Sequence, residues 1–175
     1  VGSLIEAVQH GRTSDVVSTV RDDGTGLSAG AADADGCSLL HWACINNRLE
    51  IAKHLLKCGA NVNAVGGVLK EVPLQWAVRN EGYGFTHLVA FLLDQGADVR
   101  HKSILGQDAL FLAVMAGNAN ITFMLLSIGK ADTNTMDSRG LNPLLWMCRK
   151  RKIAGNSNAE MVRLLLAFGA DPTLA

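Results

Sequence analysis

Residues 38–43 read SLLHWA, and this short segment returns three more times along the chain. The later copies are VPLQWA at 72–77, DALFLA at 108–113 and NPLLWM at 142–147. One leucine aligns in all four copies at spacings of 34, 36 and 34 residues, namely Leu40, Leu74, Leu110 and Leu144. A period of this length is typical of solenoids built from stacked supersecondary units, so the repeat predicts the fold.

A second recurring segment, a double leucine that runs into a glycine turn, lies behind each copy of the first. Its copies are LLKCGANV at 55–62, LLDQGADV at 92–99, LLSIG at 125–129 and LLAFGADP at 165–172. Two linked motifs in four copies resemble the ankyrin repeat over nearly the whole chain. The resemblance implies an all-α fold, an ankyrin-repeat solenoid of helix-turn-helix repeats with β-turn fingers and about five repeats.

Residues that begin and end helices surround each copy. Ser38, Asp108 and Asn142 are good N-cap residues, whereas Val72 has no side-chain acceptor and cannot cap. The helices should end where glycine or asparagine accepts a left-handed backbone. These ends are Asn47 and Gly117 for the first helices and Gly59, Gly96, Gly129 and Gly169 for the second helices.

The repeats divide the chain into one domain over residues 1–175. We expect a degraded N-terminal capping repeat at 1–32 and further repeats at 33–66, 67–102, 103–136 and 137–175. Longer spacing between the two motifs in two repeats predicts surface loops at 81–85 and 153–158. The chain starts without Met and stops where another repeat would begin, which suggests a segment of a longer protein.

Composition excludes several classes of function. The net charge is zero at a pI of about 7.1, so no basic surface for nucleic acid is expected, and the basic run at 149–152 is interpreted as a solvated helix end. No apolar run reaches ~18 residues, so we predict no membrane insertion by this chain. The four cysteines lack metal-ligand spacing and are interpreted as reduced, which suits the cytosol. We predict no metal, no cofactor and no catalytic residue.

The concave face of such a solenoid should carry the function. Helical geometry points two side chains per repeat into this groove: the residue after His41 or its equivalent, and the residue one turn later. We call these eight positions the groove row: Trp42 with Asn46, Trp76 with Asn80, Leu112 with Ala116, and Trp146 with Lys150. All three tryptophans of the chain therefore fall in the groove row.

A tryptophan on an apolar helix is ordinarily part of the core. Here the core positions are already filled by Leu40, Ala43, Leu74 and Ala77, which favours an exposed aromatic binding surface instead. Exposed indoles supply rigid area and an N–H donor, and they dominate binding hot spots. Helix spacing places Trp42 and Trp76 about 10 Å apart, so a proline or aliphatic side chain would fit against Trp76.

One stretch resembles a narrower family. Residues 39–43 (LLHWA), 45–48 (INNR), 66–67 (GG), 73–74 (PL) and 76–77 (WA) are similar to the N-terminal ankyrin domain of the ankyrin-repeat DHHC palmitoyltransferases, the huntingtin-interacting type. The match is strongest over residues 38–80. In that family the ankyrin groove captures short disordered segments ending in Gln-Pro. The resemblance therefore implies substrate recruitment on the cytoplasmic side of a membrane such as the Golgi.

The resemblance assigns ligand contacts to Asn46 and Trp76, the pair that the groove geometry also selects. The predicted peptide-binding residues are Trp42, Asn46, Trp76, Asn80 and Trp146. Gln75 replaces the family's histidine, and the loop at 81–85 is an insertion, so the preferred ligand could differ. The DHHC domain and its membrane helices are absent from this chain, so we expect no palmitoyl transfer by it. We also expect the chain to be a monomer.

Three other interpretations remain open. His41 and Cys44 could suggest catalysis, but the family pattern makes this histidine a structural residue that bonds the backbone of a neighbouring repeat. A general ankyrin adaptor would bind a folded partner across the groove and fingers, which needs a large patch. A purely structural spacer would gain nothing from exposed tryptophans.

Overall fold

The computed structural model describes residues 1–21, 26–79, 85–149 and 157–174. In these ranges ten helices follow one another along the chain as five consecutive pairs. They are α1 (Gly2–Gln9), α2 (Thr13–Thr19), α3 (Leu39–Ile45), α4 (Leu49–Lys57), α5 (Pro73–Val78), α6 (Phe85–Asp94), α7 (Ala109–Ala116), α8 (Ala119–Ser127), α9 (Pro143–Arg149) and α10 (Ser157–Ala167).

The first helices of the pairs pack against one another in chain order, from α1 to α3, α5, α7 and α9. The second helix of each pair packs against its own first helix. Between the helix pairs the described residues form isolated β-bridges and no strand. The predicted all-α solenoid is therefore confirmed, while the boundaries of the individual repeats stay predictions.

Two of the predicted N-caps hold their helices as expected. The Asp108 carboxylate accepts the Phe111 amide at 2.9 Å, and the Asn142 side-chain oxygen accepts the Leu145 amide at 2.7 Å. Val72 makes no side-chain cap, as its chemistry requires. The orphan amide of Val72 is satisfied from inside the helix instead, by the side chain of Gln75 at 2.9 Å.

The helix ends follow the sequence with one difference. Asn47 and Gly117 take the left-handed backbone, with φ of 53° and 76°. At the end of α8 the left-handed residue is Lys130 (φ 53°), one position after the predicted Gly129. Gly129 is required by packing, because a Cβ there would lie 2.8 Å from the Leu125 carbonyl oxygen and 2.9 Å from a Val99 methyl carbon.

One continuous core runs through the stack. Leu40, Ala43, Leu74 and Ala77 are fully buried, as their helical spacing predicts. The first helix pair contributes Leu4, Ala7, Val16 and Val20 to the same core, so it covers the apolar face of its neighbour. None of the helices in the described ranges is long and apolar enough to cross a membrane.

Short polar links fix each repeat to the next. Asn63 donates to the Gly96 carbonyl at 3.1 Å and accepts the Asp98 amide at 2.7 Å. Neighbouring fingers are joined by single backbone hydrogen bonds from Gly67 to Asp35, from Ile104 to Leu69 and from Ser138 to Leu105. These links align the fingers along one edge of the groove.

The two predicted loop insertions lie almost wholly outside the described residues. Residues 81–84 precede α6, which begins at Phe85, and residues 153–156 precede α10, which begins at Ser157. Lys150 of the groove row also lies outside them.

Thr122 on α8 provides a test of the packing. It is fully buried, and within the described residues its hydroxyl has no hydrogen-bond partner. Replacing it with valine keeps the branched shape and removes the unsatisfied hydroxyl. Thr122→Val should therefore raise the free energy of unfolding by about 1 kcal/mol in urea titrations. Thr122→Ser is the control, because it keeps the hydroxyl and should destabilise. A destabilised valine variant would mean that the hydroxyl is bonded.

Candidate peptide-binding groove

His41 links the first full repeat to the next. The ring is completely buried, and its Nδ1 accepts the Ser38 amide at 3.0 Å. Its Nε2 lies 3.1 Å from the Glu71 carbonyl oxygen of the following repeat. Because Nδ1 accepts a backbone N–H, the proton must be on Nε2, which donates to Glu71. The predicted structural role of this histidine is confirmed.

Gln75 occupies the same position one repeat later and makes both equivalent bonds. Its side-chain oxygen accepts the Val72 amide, and its side-chain nitrogen donates to the Gln107 carbonyl at 2.8 Å. The residue is fully buried. The departure from the family's histidine therefore preserves the link between repeats and does not place Gln75 in the groove.

Trp42 and Trp76 lie together in the groove row, but they are less exposed than the sequence suggests. Both indoles are half-buried and pack against the core. Their ring centroids are 5.6 Å apart in an edge-to-face arrangement, rather than the predicted ~10 Å. The rings lean toward each other across the helix spacing, and Trp76 also packs edge-on against His41 at 5.2 Å.

The indole donor of Trp42 is used inside the protein. Trp42 donates from Nε1 to the Asp33 carboxylate at 3.0 Å, and Asp33 also accepts the Cys37 amide at 2.8 Å. The expectation that Trp42 offers a ligand its N–H group is therefore wrong, because a turn carboxylate already accepts it. Ring surface is what Trp42 presents.

The remaining predicted site residues are not all brought to the same place. Asn46 is the half-buried C-cap of α3, and its amide donates to the Trp42 carbonyl at 2.9 Å. Trp146 is half-buried against Phe111, with ring centroids 6.5 Å apart. Helix α7 separates it from Trp76, and the groove-row residue of α7, Leu112, is buried. Asn80 lies outside the described residues.

A pocket of about 250 Å³ opens beside Trp76. We call it the first pocket. One wall is the finger at 66–69, and the other is formed by Ile45 and Trp76. Val68 at the finger tip is 76% exposed, so the entrance is apolar as well. Glu71 and Arg79 supply the polar part of the lining.

Glu71 and Arg79 form an ion pair at the base of the first pocket. The Glu71 side chain is only 3% exposed, whereas that of Arg79 is 35% exposed. Burial raises the pKa of Glu71, and the opposing effects of Arg79 and the Trp76 hydrogen bond do not cancel the rise. The buried Glu71 carboxylate thus holds the Arg79 guanidinium in place and leaves part of it facing the groove.

Two glycines make room for the first pocket. A Cβ on Gly66 would lie 2.4 Å from the Gly36 carbonyl oxygen, so only glycine allows the two fingers to approach this closely. Gly67 has a left-handed backbone (φ 71°), and a Cβ there would lie 3.5 Å from the Trp76 ring. The Gly-Gly finger noted in the sequence is therefore part of the pocket wall.

Sequence reasoning missed Val68, Glu71 and Arg79. Arg79 follows Trp76 by three residues and is the C-cap of α5. This spacing of about one helical turn could have indicated that Arg79 lies on the same face as Trp76. Within the described ranges, no group of three or more His, Cys, Asp or Glu side chains is arranged to hold a metal ion. The first pocket is thus apolar, with the Arg79 guanidinium in its lining.

Comparison with protein families settles the class of the fold. The profile described as "Ankyrin repeats (3 copies)" matches residues 74–175, and that of a single ankyrin repeat matches residues 35–67. The chain belongs to the ankyrin-repeat family. An ankyrin domain of this kind implies a protein-interaction module.

The ankyrin repeats of this chain are similar to those of curated palmitoyltransferases. Palmitoyltransferase AKR1 of Lachancea kluyveri is 33% identical over 168 residues, which cover 94% of this chain and 22% of that protein. Palmitoyltransferase Hip14 of Drosophila melanogaster is 32% identical over 171 residues, covering 98% and 25%. Palmitoyltransferase ZDHHC13 of Mus musculus is 38% identical over 98 residues, covering 54% and 14%. The predicted resemblance is confirmed, and the chain spans at most a quarter of each relative.

Glutamine should replace His41 with little loss of stability, because Gln75 already makes both bonds at the equivalent position of the ankyrin stack. His41→Leu makes neither bond and leaves the buried Ser38 amide unsatisfied, whereas the Glu71 carbonyl keeps the Gly66 amide as a donor. Its free energy of unfolding should fall by about 1–3 kcal/mol, measured by urea denaturation. Equal losses in the two variants would show that ring packing, rather than the hydrogen bonds, holds the repeats together.

The wild type and His41→Gln together test the protonation of His41. Burial lowers its pKa below the ordinary value of about 6.5, although the Glu71 carbonyl and Asp33 oppose this shift. As the pH falls below about 6.5, the unfolded chain binds a proton before the folded chain does. Wild-type stability should then fall relative to His41→Gln by up to ~1.4 kcal/mol per pH unit. Urea denaturation at several pH values measures this difference, and parallel profiles would contradict the buried neutral ring.

Proposed function

We propose that this chain is a substrate-recruiting ankyrin module, whose groove binds short extended segments of partner proteins for a membrane-anchored S-palmitoyltransferase. The first pocket is the observation that carries the proposal. Its volume of about 250 Å³ and its apolar walls suit one proline or aliphatic side chain. The similarity to palmitoyltransferases supplies the enzyme that such a module would serve.

The chemistry of the first pocket favours an extended segment. A proline ring or aliphatic side chain would lie against the Trp76 ring and the finger residue Val68. The exposed part of Arg79 would donate to a carbonyl of the ligand backbone, because Glu71 already neutralises its charge. An extended segment brings carbonyls that have no internal partner, so it matches this donor.

The resemblance to the huntingtin-interacting type points to Gln-Pro-containing disordered segments as partners. In this proposal the proline lies against Trp76, and Asn46 contacts the ligand backbone. The module acts on the cytoplasmic side of an endomembrane as a monomer, and the chemistry of acyl transfer belongs to another domain of the enzyme. Asn80 is proposed as a further ligand contact, and the insertion at 81–85 as a determinant of ligand preference.

A general adaptor that binds a folded partner is the second candidate. Aliphatic side chains at the tips of two neighbouring fingers favour it: Val68, Ile104 and Leu105 are 76%, 59% and 42% exposed. A folded partner would have to cover these tips and the groove together, with about 1,000 Å² or more buried in total. Binding by folded domains and not by short peptides would support this candidate.

Val68→Asp tests the groove directly. The variant places a charge at the apolar entrance of the first pocket, and the position is exposed enough for the fold to tolerate it. A fluorescent Gln-Pro peptide should bind the wild type and lose about tenfold or more in affinity on the variant, measured by fluorescence anisotropy.

Ile128→Asp is the matched control, because Ile128 is 61% exposed at the end of α8 and does not line the first pocket. It should bind the peptide as the wild type does. Trp76→Ala is a poorer probe, since the indole packs on His41 and Trp42 and its loss would disturb the fold. Absence of binding to the folded wild type, or equal loss in both aspartate variants, would overturn the proposal.

A further inference from the structure

A second pocket lies beside the first, one repeat further along the groove. It has a volume of about 440 Å³, and its apolar lining is provided mainly by Leu69, Leu105, Leu112 and Met115. Arg79 lines it as well. Since Leu69 and Arg79 also line the first pocket, the two pockets share these two residues as a common wall.

The two pockets are built on neighbouring first helices, and their separation is inferred from the spacing of those helices. The first pocket is built on α5 and the second on α7, and these two helices pack directly against each other. Packed helices have axes about 8–10 Å apart. In a β-strand, side chains on one face recur every ~6.7 Å, which is too short for this spacing, or at twice that distance, which is too long. In a polyproline-II helix they recur every three residues, about 9.3 Å, which matches it.

We propose that the groove selects a polyproline-II segment with two apolar side chains three residues apart, one in each pocket. This inference rests on the function proposed above and specifies the conformation and register of the ligand. The two apolar pockets provide the anchors. The shared wall of Leu69 and Arg79 fixes the spacing between them.

Arg79 recognises the backbone between the two anchors. Its guanidinium is tied to the buried carboxylate of Glu71, so its direction is fixed before the ligand arrives. A guanidinium has five N–H donors, and the ion pair with Glu71 leaves some of them facing the groove between the two pockets. Carbonyls of a polyproline-II segment form no internal hydrogen bonds and can accept these donors. The neutralised pair favours such a carbonyl over a carboxylate.

Three octapeptides of identical composition test the register: QQLQQLQQ, QQLQLQQQ and QQLQQQLQ. Glutamine does not fill an apolar pocket, so only the leucines can serve as anchors, and unfolded chains of this kind populate the polyproline-II conformation. Their leucines are three, two and four residues apart. Fluorescently labelled peptides should bind the wild-type chain with the spacing of three favoured at least fivefold over the other two, measured by anisotropy. Equal affinities for the three isomers would overturn the inference.

Leu105→Asp identifies the second pocket as the source of the preference. Leu105 is 42% exposed, so the change should not unfold the chain, and it puts a charge in the second pocket only. The fivefold preference should disappear in this variant and remain in Ile128→Asp. A preference that survives Leu105→Asp would also overturn the inference.

The Gln-Pro peptide is measured on the same samples to separate the two proposals. If it binds and depends on Val68 while the isomers do not differ, the recruiting groove stands and the two-pocket register is wrong. If neither the Gln-Pro peptide nor any octapeptide binds the folded wild type, both proposals fail.

Discussion

A buried hydrogen bond between successive repeats is the constraint on which the groove depends. His41 donates to the Glu71 carbonyl, and Gln75 repeats the bond to Gln107. Each bond fixes the backbone just before the next first helix, at the base of a finger. The Glu71 side chain then enters the wall of the first pocket, where it holds Arg79. One residue thus joins the stacking of the solenoid to the chemistry of the groove.

The groove tryptophans combine packing with recognition. Trp42 and Trp76 are held edge-to-face, the Trp42 N–H is bonded to the Asp33 carboxylate, and Trp76 also packs on His41, so both rings are fixed before any ligand arrives. A fixed aromatic surface loses little conformational entropy on binding. The same arrangement limits what the rings can offer, which is apolar surface, and it leaves hydrogen bonding to Arg79. A binding site built this way favours ligands with apolar side chains and unpaired carbonyls.

The sequence predicts what depends on local period and turn chemistry. The helices and the core positions follow from the repeat, because each copy reports the same environment. The role of His41 came from the resemblance to ankyrin repeats, since the equivalent positions hold Gln75, Phe111 and Leu145. The predicted exposure of Trp42 and Trp76 was wrong, because the period shows which helix face a residue occupies but not how far its ring leans toward a neighbouring ring. The pairing of Glu71 with Arg79 was missed because it depends on where the finger lies, and finger positions follow from contacts between repeats.

A buried glutamate such as Glu71 is not expected from stability alone. Its raised pKa means that the folded chain holds a proton more tightly than the unfolded chain. Stability present at low pH is therefore lost as the pH rises through the folded pKa, so ionisation of this carboxyl group opposes folding. An apolar residue at this position would avoid that penalty, but it could not orient Arg79. Departures of this kind are expected at functional sites, where local stability is exchanged for a fixed polar group. The Glu71 carboxyl group lies in the lining of the first pocket and pairs there with Arg79, the residue that lines both pockets.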